Sequence, residues 1–123
     1  MHAMLRPGGS LWLQTPNINA LGHRRFGVHW LGLDPPRHLS LLTPKTLFKL
    51  LDECGFTVKE LPLPALMALS VYQDSDAMAK GAPQIGARLR WRSFFRPAWL
   101  SDAWLQSRTL TQAEFITVEA TKI

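Results

Sequence analysis

A short segment in the middle of the chain constrains the fold more than any other part of the sequence. Thr43 is a favourable helix N-cap, and Pro44 suits the first helical position, where its missing N–H has no intrahelical partner to lose. Gly55 is placed for a left-handed C-cap. Apolar residues between these caps recur at the spacing of one helix face, namely Leu47, Phe48, Leu50, Leu51 and Cys54. We therefore predict a helix over 44–54 and, directly after it, a strand over 57–61.

Two further strands are predicted near the ends of the chain. Residues 10–15 form an apolar run bounded by Pro-Gly-Gly and Pro-Asn, which indicates a buried strand, and residues 114–123 are β-branched and roughly alternating. Helical patterns cover 65–79 and, in pieces interrupted by a proline, 84–108. A helix that lies between strands needs a sheet to cover, so the order of elements predicts an α/β fold.

The charge of the chain is concentrated in one segment. Among 123 residues, 14 Lys and Arg stand against 9 Asp and Glu, a net charge of +5. Residues 80–108 contain six basic side chains against one acid, and three of the five tryptophans. A single cysteine excludes an internal disulfide framework, and its place on the predicted helix face indicates a buried structural thiol. Residues 1–9 contain no apolar stretch typical of a secretory signal, which predicts a cytoplasmic protein.

Four stretches of the sequence share a family pattern. They are Leu-Arg-Pro-Gly-Gly-Ser-Leu-Trp-Leu-Gln-Thr-Pro-Asn (5–17), Pro-Pro-Arg-His-Leu-Ser-Leu-Leu-Thr-Pro-Lys-Thr-Leu (35–47), Leu-Leu-Asp-Glu-Cys-Gly-Phe-Thr-Val (50–58) and the last strand (114–123). In this order they resemble the C-terminal half of class I S-adenosylmethionine-dependent methyltransferases. The resemblance implies a partial Rossmann-like sheet, with strands ordered fifth, seventh and sixth, together with helices and a helical insertion.

The resemblance also implies different roles for different regions of the chain. Residues 1–123 correspond to the C-terminal part of a methyltransferase domain, with 17–42 as a loop on the substrate side and 64–111 as a variable helical insertion that no motif covers. The family binds its cofactor through a Gly-rich turn and an acidic residue in the other half, and this sequence has no Gly-x-Gly-x-Gly turn. We therefore expect a full-length parent that transfers a methyl group from S-adenosylmethionine to a small or lipid-like acceptor, and no cofactor binding by this chain alone. Either the chain is cut from a longer one, which we favour, or it has lost the cofactor site.

The substrate-side loop contains the candidate site residues, and a short helix is predicted in it near 18–26. By the resemblance, His38 is either a general base on an acceptor hydroxyl or a residue that fixes the loop through a backbone carbonyl. Asn17 follows a strand end and either contacts the pocket or caps a turn. Trp30 and Arg37 are further candidates for substrate contact, with the alternative that Trp30 only packs a surface loop. No metal site is predicted, because wide spacings of six and nine residues separate the candidate ligands, His23, His29 and His38, with Asp34 among them.

The basic aromatic segment supports a different function. Its candidate contact residues are Arg88, Arg90, Trp91, Arg92, Arg96, Trp99 and Trp104, the last two on one face of a helix that begins near Pro97. They could face a membrane surface or an acidic partner, or the segment could be a helical cover with solvated arginines. The alternative function is thus a non-enzymatic module that binds a membrane surface or an acidic partner through residues 80–108. In the membrane case the protein would be peripheral to the inner membrane face. Nucleic-acid binding is the interpretation that we favour least.

The missing fourth strand of the family pattern leaves an edge without a partner. Strand 10–15 would lie at the border of the sheet, and an apolar edge strand pairs readily with another chain. We therefore expect a homodimer through this strand.

Overall fold

The computed structural model describes residues 2–83, 89–108 and 110–123. In this part of the chain, three strands and four α-helices follow one another, joined by five short 3₁₀ turns. They are β1 (Ser10–Pro16), α1 (Leu21–Phe26), α2 (Pro44–Glu53), β2 (Phe56–Glu60), α3 (Ala65–Ala79), α4 (Pro97–Gln106) and β3 (Phe115–Lys122). The 3₁₀ turns are His2–Met4, Gly27–His29, Leu31–Leu33, Trp91–Phe95 and Leu110–Gln112.

The sheet has the order β1-β3-β2, with β3 antiparallel to both neighbours. In this register Leu13 and Val118 lie opposite each other, as do Lys59 and Glu119. The last strand is central, which agrees with its apolar, β-branched sequence. The α/β class is confirmed, and the last strand lies between the other two. That these are the fifth, seventh and sixth strands of a Rossmann-like sheet stays a prediction, because the antiparallel pairings alone do not define that fold.

Helix α2 covers one face of the sheet, and its ends follow the predicted capping. The Thr43 hydroxyl accepts from the Thr46 N–H at 3.1 Å, and Gly55 adopts a φ of +79° after the last turn. The buried core between helix and sheet consists of Leu47, Leu51, Phe56, Ile116, Val118 and Ala120. The helix predicted over 44–54 is thus confirmed within one residue.

Two predictions of burial are wrong. Strand β1 is not buried on both faces, since Trp12 is 59% exposed and Gln14 is also exposed. Its alternate residues Leu11 and Leu13 pack on the core, so the strand has one wet face. Cys54 is exposed as well, because α2 ends one residue earlier and the chain no longer follows the buried stripe.

Helices α3 and α4 pack against each other beside the sheet. Their shared core contains Ala68, Leu69, Tyr72, Trp99 and Ala103, and the rings of Tyr72 and Trp99 meet edge to face at 5.8 Å. Helix α3 has the bounds predicted from the sequence, and α4 begins at Pro97 as predicted. The described helices include none that is both long and apolar enough to cross a membrane.

The loop between β1 and α2 is folded rather than irregular. It carries α1, within the range where a short helix was predicted, and two 3₁₀ turns. Its buried anchor is Trp30, which packs with Ala20 against Val71 of α3. The loop is therefore held between the end of β1 and helix α3, and this arrangement positions the site described next.

Candidate functional site

The end of β1 meets the start of β3 at Asn17. Its N–H donates to the Glu114 carbonyl at 3.0 Å, and its side-chain N–H₂ donates to the carbonyls of Thr111 at 3.0 Å and Ala113 at 2.9 Å. The side-chain oxygen accepts from the Asn19 N–H at 3.0 Å. These contacts use the amide fully as a turn-capping group at the end of the strand.

A buried carboxylate lies next to this turn. Glu114 is only 2% exposed. One carboxylate oxygen accepts from the Gly22 N–H at 2.8 Å and from the Gln106 side chain at 3.0 Å, and the other accepts from the Trp30 indole N–H at 2.6 Å. Burial raises the pKa of Glu114 from its ordinary 4.5 to about 7, although the three donors favour the charged form. Gly22 is required here, because a Cβ at that position would collide with the carboxylate.

Hydrogen bonds connect this carboxylate to the protein surface. The Gln106 side chain also donates to the Tyr72 hydroxyl at 3.1 Å, and that hydroxyl donates to Asp102 at 3.0 Å. Arg25 in turn donates twice to the same Asp102 oxygen, at 2.9 and 2.6 Å. Burial, together with the charges of Glu114 and Asp102, raises the pKa of Tyr72. We call this series of hydrogen-bonded residues the Glu114 network, and its members are Gly22, Arg25, Trp30, Tyr72, Asp102, Gln106 and Glu114.

The network reaches solvent in a shallow depression. A volume of about 380 Å³ is lined by Leu21, Arg24, Arg25 and Asp102. The side chains that link this opening to Glu114 are hydrogen-bonded to one another, namely Arg25, Asp102, Tyr72 and Gln106. No buried side-chain polar atom in the described residues lacks a partner. The network therefore ties the loop, α3, α4 and β3 together, and its chemistry is that of a sealed polar anchor with one acid that titrates near neutral pH.

A second region combines a cavity with positive charge. A volume of about 370 Å³ lies between α3 and the Trp91–Phe95 turn. We call it the basic cavity, and the polar and aromatic side chains that line it are Gln73, Asp76, Lys80, Arg90, Arg92, Ser93, Arg96 and Trp99. Asp76, the one carboxylate among the described residues that line it, pairs with Lys80 at 2.6 Å and with Arg96 at 3.3 Å. Burial acts to raise the pKa of Asp76, but the bond from Lys80 and the charge of Arg96 outweigh it, and the pKa lies below its ordinary value.

The four candidates on the loop between β1 and α2 lie in two different places. Asn17 and Trp30 are both fully buried, and both donate to Glu114. Asn17 bonds to the backbone carbonyl of Glu114, and Trp30 bonds to its carboxylate. Arg37 and His38 instead occupy an exposed turn, where Arg37 pairs with Asp34 at 2.9 Å and the His38 side chain faces solvent. The structure brings neither of these two into the cavities lined by described residues.

The candidates in the basic aromatic segment also separate. Arg90, Arg92 and Arg96 line the basic cavity. Trp99 is 6% exposed and forms a wall of that cavity instead of an outer surface, with the Arg96 guanidinium 4.2 Å from its ring centroid. The outward-facing aromatic side chains are Trp91, 67% exposed, and Trp104, 57% exposed. Arg88 lies outside the described residues.

Sequence reasoning missed most of the Glu114 network. The sequence pattern places Glu114 only at the start of a strand, and it marks none of Tyr72, Asp102 and Gln106 as a site residue. No local spacing marks these residues, because the carboxylate bonds join positions 92 and 84 residues apart in the chain. A glycine near the start of a helix and an acid at the head of an apolar strand were the available signals. Three or more potential metal ligands do not cluster anywhere in the described ranges.

One protein family matches the first part of the chain. Residues 1–61 match the model of a family described as a methyltransferase domain. The match covers β1, the loop between β1 and α2, α2 itself and β2, and it confirms the resemblance that the motifs within 5–58 indicated. The last strand lies outside it. Searches of curated proteins and of solved structures returned no match.

Methyltransferase domains in general use S-adenosylmethionine as the methyl donor. Ribose hydroxyls need a carboxylate that is free to accept, and the methionine part needs close approach to glycine backbone. The carboxylates at the two cavities beside α3 and α4, Asp76 and Asp102, are already held by cations, and Glu114 is sealed by three donors. None of these three carboxylates therefore offers the free acceptor that the ribose of the cofactor needs.

Proposed function

We propose that this chain forms the C-terminal half of a methyltransferase domain, and that the complete protein transfers a methyl group from S-adenosylmethionine to a small or lipid-like acceptor. The observation that carries the proposal is the family match over residues 1–61. The sheet supports it, because β3 lies between β1 and β2 as the family pattern requires for the last three strands. The cofactor site is assigned to a half that this chain does not supply.

In this proposal the substrate-side loop contributes the wall that faces the acceptor. The Glu114 network holds the loop against α3 and β3, so that its exposed turn keeps a defined place relative to the sheet. Helices α3 and α4 then act as the cover. His38 stays the proposed base, since it is exposed on that turn and an imidazole nitrogen can accept the proton of an acceptor hydroxyl.

A binding experiment on the chain separates this proposal from a self-sufficient enzyme. Calorimetric titration of S-adenosylmethionine into residues 1–123 should show no saturable heat. Micromolar affinity would contradict the assignment of the cofactor site to another half.

The enzymatic part is tested on the gene product read upstream of Met1. If the reading frame adds a Gly-x-Gly-x-Gly turn after a strand, the longer chain should bind the cofactor and methylate an acceptor. In that chain His38→Ala should lower kcat by roughly a hundredfold if His38 is the base. His29→Ala, a change at an exposed histidine in the same loop, should not. A longer chain that binds no cofactor refutes the proposal.

A second candidate function is membrane contact without catalysis, and the exposure of two aromatic rings favours it. Trp91 and Phe95 are 67% and 74% exposed, and their ring centroids are 5.4 Å apart. The Arg92 guanidinium lies 5.7 Å from the Trp91 ring centroid. Co-sedimentation with phosphatidylglycerol vesicles should be lost in Trp91→Ala/Phe95→Ala. The control Val28→Ala removes an exposed apolar side chain elsewhere. Equal binding of both variants would exclude this surface as the contact.

A further inference from the structure

The basic cavity has more positive charge than its own carboxylate can balance. Four cationic side chains line it, and Asp76 engages only two of them, Lys80 and Arg96. Arg90 and Arg92 have no acidic partner within the described ranges, and both are exposed at the mouth. Two guanidinium groups thus remain available beside a cavity that is already electropositive.

The backbone that carries these arginines is fixed. The Gln73 side-chain oxygen accepts from the Arg90 N–H at 2.7 Å and from the Ser93 hydroxyl at 3.1 Å. Gln73 and Ser93 are both buried, so these bonds join the Trp91–Phe95 turn firmly to α3. Arg96 is held from two sides, by Asp76 and by the face of Trp99. A site whose supports are in place before binding loses less entropy when a ligand arrives.

From this arrangement we propose that the basic cavity binds a phosphate monoester. Guanidinium forks match phosphate oxygens in pairs, and a dianion suits a site with two unpaired cations. The volume of about 370 Å³ is within the range of small-molecule sites. Apolar walls from Ala77, Ala82 and Pro83 leave room for a compact organic body beside the phosphate, instead of the extended backbone of a nucleic acid. The proposal does not depend on methyl transfer, because it concerns binding by this chain.

Calorimetry with glycerol 3-phosphate, at ionic strength held constant with sodium chloride, tests the site. Wild type should bind saturably, and Arg90→Gln/Arg92→Gln should weaken binding roughly tenfold or more, as expected for lost bonds to a charged group. The control Arg6→Gln/Lys45→Gln removes two exposed cations outside the cavity lining and should bind like wild type. Equal weakening in both variants would show a general charge effect and overturn the proposal.

Two further arms complete the test. Arg90→Lys/Arg92→Lys keeps the charge but loses the fork, so its affinity should fall between those of wild type and the glutamine variant, and circular dichroism verifies that each variant is folded. Vesicles of phosphatidylcholine with phosphatidic acid present the same group on a lipid. Binding in either arm that depends on Arg90 and Arg92 supports the site and identifies its source as soluble or lipid. Binding in neither arm, or vesicle binding that survives the glutamine changes, overturns it.

Discussion

Glu114 gives the protein a stability that depends on pH in a direction opposite to that of most paired acids. Its pKa rises from 4.5 to about 7 in the folded chain because of burial. The native state therefore holds the proton more tightly than the unfolded state does. The stabilisation is complete below pH 4.5 and is lost as the pH rises through 7.

The size of the effect follows from the two pKa values. A rise from 4.5 to about 7 corresponds to ~3 kcal/mol in the free energy of unfolding, at 1.36 kcal/mol for each pH unit between them. Roughly three quarters of it should appear between pH 5 and pH 8. For a domain of this size, that is a large share of the total stability, which is about 5–15 kcal/mol.

Urea unfolding of wild type and Glu114→Gln at pH 5 and pH 8, followed by circular dichroism, measures this quantity. Gln cannot ionise, so the difference between the two proteins should change by about 2–3 kcal/mol between the two pH values. The Gln variant also loses stability at every pH, because its amide N–H₂ must face at least one of the three donors. This loss is the same at both pH values, so it cancels when the two differences are compared. Glu60→Gln, on the surface, measures what the loss of one negative charge does by itself.

Two results would refute the reasoning. Parallel loss of stability in wild type and Glu114→Gln would mean that the carboxylate does not titrate in this range. A wild type that gains stability over the variant as the pH rises would mean that the donors from Gly22, Trp30 and Gln106 outweigh burial. If the variant does not fold, the carboxyl carbon of Glu114 in wild type can be titrated by NMR, and a midpoint near its ordinary 4.5 would be equally decisive.

Three other predictions follow from local geometry. Gly22→Ala should lower the unfolding free energy by about 2–4 kcal/mol in urea, because the added Cβ meets the buried carboxylate, whereas Gly27→Ala, with open space at a φ of +54°, should cost about 1 kcal/mol. Thr43→Ala should cost about 1 kcal/mol through the lost N-cap of α2, and an unchanged urea midpoint would exclude the cap as a contributor. Trp12→Lys should shift a dimer to monomer in light scattering if β1 pairs between chains, while Val28→Lys should not, and a monomeric wild type would contradict pairing through this edge.

Local signals in the sequence predicted the elements of the fold well. The cap at Thr43, the glycine at position 55 and the proline at position 97 each act on the nearest turn of backbone, so α2 and α4 begin and end close to where they were expected. The order of the strands came from the family resemblance and not from local pattern. Side-chain burial was less predictable, because the exposure of Trp12 depends on what covers the second face of the sheet, and sequence pattern does not specify that.

The candidate site was predicted only where its residues lie in one stretch of chain. Arg90, Arg92 and Arg96 are close in sequence and meet in the basic cavity, so composition could find them. Glu114 needs donors from a distant helix start and a distant indole, and its burial follows only once the loop has folded against α3. The family match ends at residue 61, yet Trp30 within it is anchored by an acid outside it. Loss of that one carboxylate should therefore loosen the loop between β1 and α2 before it disturbs the sheet, since β1 and β3 pair through backbone bonds that do not involve the carboxylate.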